Sequence, residues 1–249
     1  GELVAEVVAP RAQKIDALGT RLEGGEVVFP KELDEIYEAM KELGLFGISV
    51  PRELGGIGAP LALYLVASEI IARGDVSVMT HYGFHGGVAS SLLLYSIHEG
   101  SAEFENGRLV RTRFDDVIRQ IAAGDAFGCM VLTEPGAGSD LAAIRTRAEE
   151  RDGKWYLNGE KIFITSGHGQ HQLVLAKTEE GKGLDGLSLF LVPRKIERDG
   201  KTIDNVKITK LEEKLGHNAS ATCSLLYEDS EAELIGKGRR PDVLVMTAT

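Results

Sequence analysis

Near Gly124 the apolar residues of this chain change their repeat from a helical period to a strand period, and that switch constrains the fold more than any other feature. Before it, Leu33, Ile36, Tyr37, Met40 and Leu43 form one helical stripe, and Val110, Phe114, Val117, Ile118 and Ile121 form another. Residues 61–72 are apolar on most faces, which predicts a central, buried helix. Residues 76–97 carry no Asp, Glu, Lys or Arg, yet His81, His85, four serines, a threonine and three glycines make them too polar to cross a bilayer alone. They read as buried helical core. After Gly124 come short apolar runs at 127–133, 154–157, 160–165, 172–177, 186–192 and 221–227. Strands at such spacing predict an antiparallel barrel or sandwich, with Asn158-Gly159 as the strongest hairpin signal. The expected fold class is α+β, an all-α half followed by an all-β half.

Composition narrows the function. With 28 Lys+Arg against 38 Asp+Glu the net charge is −10, which argues against nucleic acid as the main partner. Hydrophobic residues at 43% and charged residues at 27% are the proportions of a globular chain with a real core. Cys129 and Cys223 lie far apart and outside any CxxC pattern, so neither a disulfide framework nor a zinc knuckle is indicated and a reducing cytoplasm is the default location. No metal site is expected. His81 and His85 have i, i+4 spacing but no third ligand, and His168 and His171 read as exposed loop residues. Gly55-Gly56-Ile57-Gly58 lacks the Lys-Ser/Thr of a phosphate loop and reads as a turn between helices. Residues 1–10 show no targeting signal, and the chain starts at Gly1 and stops at Thr249 just after an apolar run, as a piece of something longer would.

Two segments carry chemistry. In residues 129–140 an apolar strand ends at Thr133 and turns through Pro135, Gly136 and Gly138, where backbone N–H groups and the Ser139 hydroxyl could meet an anion or a polar ring edge. A plain tight turn remains open on these grounds alone. In residues 160–165, strand alternation puts Phe163 and Thr165 on one side and Ile162 and Ile164 on the other. An aromatic beside a hydroxyl suits a flat heteroaromatic ring, although a Phe on a strand is also ordinary core.

Taken together, the order and spacing of these residues resemble the acyl-CoA dehydrogenase family of flavoproteins. The matching pattern is Leu132 to Asp140, a charged stretch Arg145 to Arg151, an Asn-Gly turn within Trp155 to Lys161, and Phe163-Ile164-Thr165. Further likeness lies in residues 43–48, 51–56, 187–193 and 214–222. The resemblance covers roughly residues 30–236 and implies an N-terminal helical domain at 1–124 and a middle β-barrel domain at 125–236. Residues 237–249 would then be a divergent or truncated entry to a C-terminal four-helix bundle that is absent.

The family likeness implies FAD as cofactor, an acyl-CoA thioester as substrate, an electron-transfer flavoprotein as electron acceptor and a homodimer or homotetramer as the complete assembly. Carried over by position, Met130, Leu132 and Thr133 line the flavin, Gly138 and Ser139 lie near its pyrophosphate, and Phe163, Ile164 and Thr165 cover the opposite part of the ring system. The same likeness implies that Ser139 also touches the acyl-CoA. Met130 stands where an aromatic is common and Phe163 where a Trp is frequent, but both keep a polarisable apolar surface. The implied reaction is α,β-dehydrogenation, with a glutamate of the C-terminal helices as base. No catalytic residue is therefore assigned here. Glu134 is read as a solvated or paired carboxylate, and Arg145, Arg147, Arg151 and Lys161 as a locally cationic surface. The alternatives are an acyl-CoA oxidase-like flavoenzyme or a non-catalytic flavin- or CoA-binding module. Residues 97–126 depart from the family pattern and predict a rearranged helix pair.

Overall fold

A computed structural model describes residues 1–236, so the expected bundle entry at 237–249 lies outside the described residues. The chain divides into two compact units, one of Gly1–Phe127 with Glu213–Ala221, the other of Gly128–Glu212 continuing from Thr222.

In the first unit a π-helical segment, Leu3–Val8, leads into α1 (Ala9–Leu18). Helices α2 (Lys31–Glu42), α3 (Leu61–Gly74), α4 (Val76–Glu99) and α5 (Asp115–Ala123) follow. The α2 stripe buries Leu33, Ile36, Tyr37 and Met40 against Ile15, Phe46, Val78 and Tyr82. Asp75 caps α4 by accepting from Val78 N at 2.9 Å. Residues 55–58 are the expected turn: Gly56 brings the chain so close that a Cβ would lie 2.1 Å from Val50 O. The N–H groups of Gly55, Gly56, Ile57 and Gly58 all donate to carbonyls of residues 47–52, which leaves none for a phosphate.

Three expectations for this half fail. It is not all helical, because β1 (Arg21–Glu23) pairs with β2 (Glu26–Val28) and β3 (Glu103–Glu105) with β4 (Arg108–Arg111). The second hairpin turns through Asn106 and Gly107, both at positive φ, and occupies the stretch where a rearranged helix pair was expected. Val110 therefore sits on a strand, and its stripe begins only at Phe114. Nor is α3 central: Leu61, Leu63, Leu65 and Val66 are all more than half exposed, and Ile71 is its one buried residue.

The second unit holds β5 (Gly128–Val131), β6 (Arg147–Arg151), β7 (Lys154–Thr165), β8 (His171–Lys177), β9 (Leu187–Pro193), β10 (Lys195–Arg198), β11 (Lys201–Asp204), β12 (Val206–Leu211) and β13 (Thr222–Ile235). Hydrogen-bonded neighbours form a closed ring, β13–β7–β6–β8–β9 and back to β13, with β12 on β13 and β5 on β8 as side branches. Most pairs are antiparallel as expected, but β5 runs parallel to β8, and Arg147 pairs with Lys177 in parallel. The parallel pair is possible because residues 132–170, with the β6–β7 hairpin, supply the long crossover it needs. That hairpin turns at Asp152-Gly153, where φ is 52° and 75°.

Asn158-Gly159 is not a turn at all but lies inside β7. Gly159 is required there because a Cβ would meet Thr146 Oγ1 at 2.4 Å. Asn158 clasps a bulge in β13, donating through Nδ2 to Asp229 Oδ1 and accepting from Asp229 N, each at 2.9 Å.

Candidate functional site

The site forms where β5 ends. Residues 128–131 pair with 171–174 of β8, burying Cys129 and Val131 and leaving Met130 half-buried on the opposite face, with half-buried Leu132 next along it. The ladder stops after the Val131–Val174 pair. The chain then changes partner, since Ile162 N of β7 donates to Thr133 O at 2.9 Å. Thr133 and Phe163 are thereby brought to neighbouring backbone positions.

Beyond Thr133 the chain makes a tight turn in which Glu134 and Ala137 exchange both main-chain hydrogen bonds, at 3.0 and 3.1 Å. Pro135 and Gly136 occupy its centre, with Gly136 at φ 85°, the conformation a type II turn demands of its third residue. Gly138 and Ser139 follow and are exposed. The N–H groups of Gly136, Gly138 and Ser139 and the hydroxyls of Thr133, Ser139 and Thr165 make no hydrogen bond to any described residue. A Cβ on Gly138 would point into open space. A loop of uncommitted donors beside half-buried Met130 and Leu132 fits a flat ring system carrying an anionic tail.

Phe163 departs from simple alternation. It sits at a bulge, φ 58°, between the Lys161–Leu225 and Ile164–Cys223 pairs, and remains 59% exposed. The extra residue shifts the phase of β7, so Lys161 and Ile164 face the interior rather than Ile162 and Ile164. Ile164 packs in the core beside Cys223, which leaves only its backbone near the open face. Thr165, half-buried, pairs with Thr222. Of the eight candidate residues, Met130, Leu132, Thr133 and Phe163 are brought together directly, Gly138 and Ser139 extend from them, Thr165 lies two residues along β7, and the Ile164 side chain turns away.

Sequence reasoning overlooked the centre of this arrangement. Lys161, expected on a cationic surface, is 0% exposed, and its Nζ reaches Leu132 O at 2.9 Å, Leu175 O at 2.7 Å and Glu134 Oε1 at 2.8 Å. Glu134 also accepts from Arg145 N at 2.6 Å and Thr146 N at 3.0 Å. Burial works to raise the Glu134 carboxyl, but Lys161 and the two amides outweigh it and hold the group below the ordinary carboxylate range. Burial likewise lowers the Lys161 ammonium to about 8, against the pull of Glu134. A lysine at a position where β7 faces inward was the available signal, obscured by the bulge two residues later.

Both pairs of histidines pack inside. His85 stacks on Phe127 with centroids 4.1 Å apart, and His81 meets Tyr37 edge-on at 5.2 Å. His171 is buried at the start of β8 and His168 is half-buried, so neither is the exposed loop residue expected.

The family "Acyl-CoA dehydrogenase, N-terminal domain" matches residues 1–104, and "Acyl-CoA dehydrogenase, middle domain" matches residues 129–230. Among curated relatives, 3-methylmercaptopropionyl-CoA dehydrogenase of Ruegeria pomeroyi is 32% identical over 263 aligned residues, covering 100% of this chain and 42% of the relative. The mitochondrial short-chain specific acyl-CoA dehydrogenase of Rattus norvegicus is 38% identical over 192 residues, covering 76% of this chain and 42% of the relative. A solved acyl-CoA dehydrogenase complexed with FAD, from Bacillus anthracis, shares the fold with a TM-score of 0.73 at 24% identity, over 99% of this chain and 37% of that one. The chain spans about half the length of the curated relatives it matches.

Proposed function

The chain belongs to the acyl-CoA dehydrogenase family, with its N-terminal and middle domains, and from that premise we propose that it carries the flavin-binding edge of an FAD-dependent acyl-CoA dehydrogenase. The observation that carries the reading is the junction at Ile162 N and Thr133 O, which joins the 130–133 and 163–165 segments beside a loop of uncommitted donors.

In this reading FAD, when bound, supplies the acceptor for the hydride that leaves the acyl β-carbon. The chain's own residues hold and orient it. Met130 and Leu132 offer a polarisable apolar face, and exposed Phe163 offers a ring to stack. The Thr133 and Thr165 hydroxyls present polar atoms to a ring edge, while Gly138 N, Ser139 N and the Ser139 hydroxyl suit a pyrophosphate. By the family likeness Ser139 would also touch the acyl-CoA.

Glu134 is no candidate for the base that takes the α-proton, because three donors hold its buried carboxylate. The base is instead expected on C-terminal helices of the complete protein, so the 249 residues alone should turn over no acyl-CoA. An electron-transfer flavoprotein as acceptor and a dimeric or tetrameric assembly follow from the same family likeness. Cys129 and Cys223, buried thiols that form no disulfide among the described residues, support a reducing compartment such as the cytoplasm.

The test is titration with FAD, followed by anaerobic addition of acyl-CoA to the holoprotein that includes the C-terminal helices. Flavin binding and bleaching by acyl-CoA are expected. A well-folded, colourless protein would overturn the reading, and rapid reoxidation by dioxygen would favour an oxidase.

A further inference from the structure

We propose that Lys161 is a positioning residue for the flavin edge, wedged where the chain at Leu132 and Thr133 leaves β8 for β7. The proposal rests on reading residues 130–133 and 163–165 as that edge. The ladder between β5 and β8 ends at Val131 and Val174. The next two residues in register are Leu132 and Leu175, and their carbonyls meet at the Lys161 ammonium, at 2.9 and 2.7 Å, instead of continuing the ladder.

One ammonium group therefore satisfies both carbonyls with two of its N–H donors where the end of β5 parts from β8. The third donor of Lys161 holds Glu134 at 2.8 Å, and Glu134 in turn ties down the amides of residues 145 and 146. An ammonium has three donors, and here all three are used. The residue after Lys161 makes the Ile162 N to Thr133 O bond, and the next is Phe163. Lys161 thus fixes the opening of β5, the turn at 134–137 and the start of the Phe163 bulge from one buried point. Fully buried, it reaches no flavin itself and acts only through the segments it joins.

The decisive variant is K161M/E134Q, which removes both charges and keeps side chains of similar length. Two quantities are read, the FAD dissociation constant and hydrogen exchange at the Ile162 amide, with the β10–β11 hairpin as internal reference. A folded double variant is expected to bind FAD at least tenfold more weakly and to exchange Ile162 at least tenfold faster, with the reference unchanged. FAD affinity and Ile162 protection both within twofold of the parent would overturn the proposal.

Should the double variant not fold, E134Q alone decides. It removes the negative charge facing the ammonium and one of the two oxygens that between them take Lys161 Nζ, Arg145 N and Thr146 N, so it must loosen Ile162 in the same direction, whereas parental exchange there would overturn the proposal. If the parent itself binds no FAD, the flavin reading fails, but the exchange arm still tells whether Lys161 sets this geometry.

Discussion

An ammonium has no acceptor of its own, so a fully buried lysine is tolerable only where acceptors converge on each of its protons. Lys161 meets that condition, and the consequence is asymmetric. Lys161→Met alone strands the Glu134 carboxylate and two carbonyls in the interior and should cost about 3–5 kcal/mol, whereas adding Glu134→Gln should recover part of it. Urea unfolding of both variants measures the difference, and equal losses would mean that the charges are not coupled. Phe163 presents the opposite case. Its φ of 58° is a conformation that glycine adopts freely, and its ring is more than half exposed. Phe163→Gly should therefore stabilise the apoprotein by about 1 kcal/mol while weakening FAD binding. A variant both less stable and fully competent for FAD would contradict the assigned role. The motif residues around Thr133 and Phe163 were legible because their types and spacing are specific. Lys161 was not, because a charged residue on a strand reads as surface until the bulge that shifts the phase of β7 is known.

At the scale of elements, local turn chemistry proved ambiguous where two candidates competed. Asp152-Gly153 and Asn158-Gly159 both satisfy the hairpin rule, and sequence alone favours the Asn. The structure uses the first, since Arg151 pairs with Lys154 across it, and keeps Gly159 for the close passage of Thr146. Gly159→Ala should thus cost about 3 kcal/mol, because the new methyl would lie 2.7 Å from the Thr146 backbone rather than from a yielding side-chain tip. Thermal unfolding checks this, and a stability unchanged or raised, as an unobstructed Gly-to-Ala change in a strand gives, would show that β7 shifts freely. The overlooked Asn106-Gly107 turn carried the same signal and was hidden by the charged residues around it. For α3 the difficulty is of another kind: an apolar helix states that its faces prefer to be covered, not which of them are. Its exposed leucines predict that Leu61→Gln with Leu65→Lys changes stability by no more than about 0.5 kcal/mol while reducing self-association. Denaturant unfolding and light scattering measure the two effects, and a loss of several kcal/mol would place those side chains in the core.

For the molecule as a whole, acid sets two effects against each other. Lowering the pH from 7 towards the sequence pI of about 5.2 discharges a net −10 and relieves self-repulsion, which favours the folded state. The buried histidines work the other way. Burial lowers His81 of the first unit and His171 of the second from 6.5 to about 4. Between those values the unfolded chain binds protons that the folded chain refuses, so stability falls as the pH drops through 6.5 towards 4 and is retained above 6.5. Each shift corresponds to about 3 kcal/mol at its lower end, a larger effect than the diffuse repulsion of screened surface charges. Glu134, held below the usual carboxylate range, adds a further loss below its unfolded value of 4.5. The melting temperature should consequently fall steadily between pH 6.5 and 4.5 despite the approach to neutrality. His81→Phe keeps an aromatic ring among Phe29, Tyr37 and Phe127 and should flatten that fall, since the first unit then has one fewer site that acid must force open. A variant with the parent's slope would mean that His81 is not among the protons driving acid unfolding.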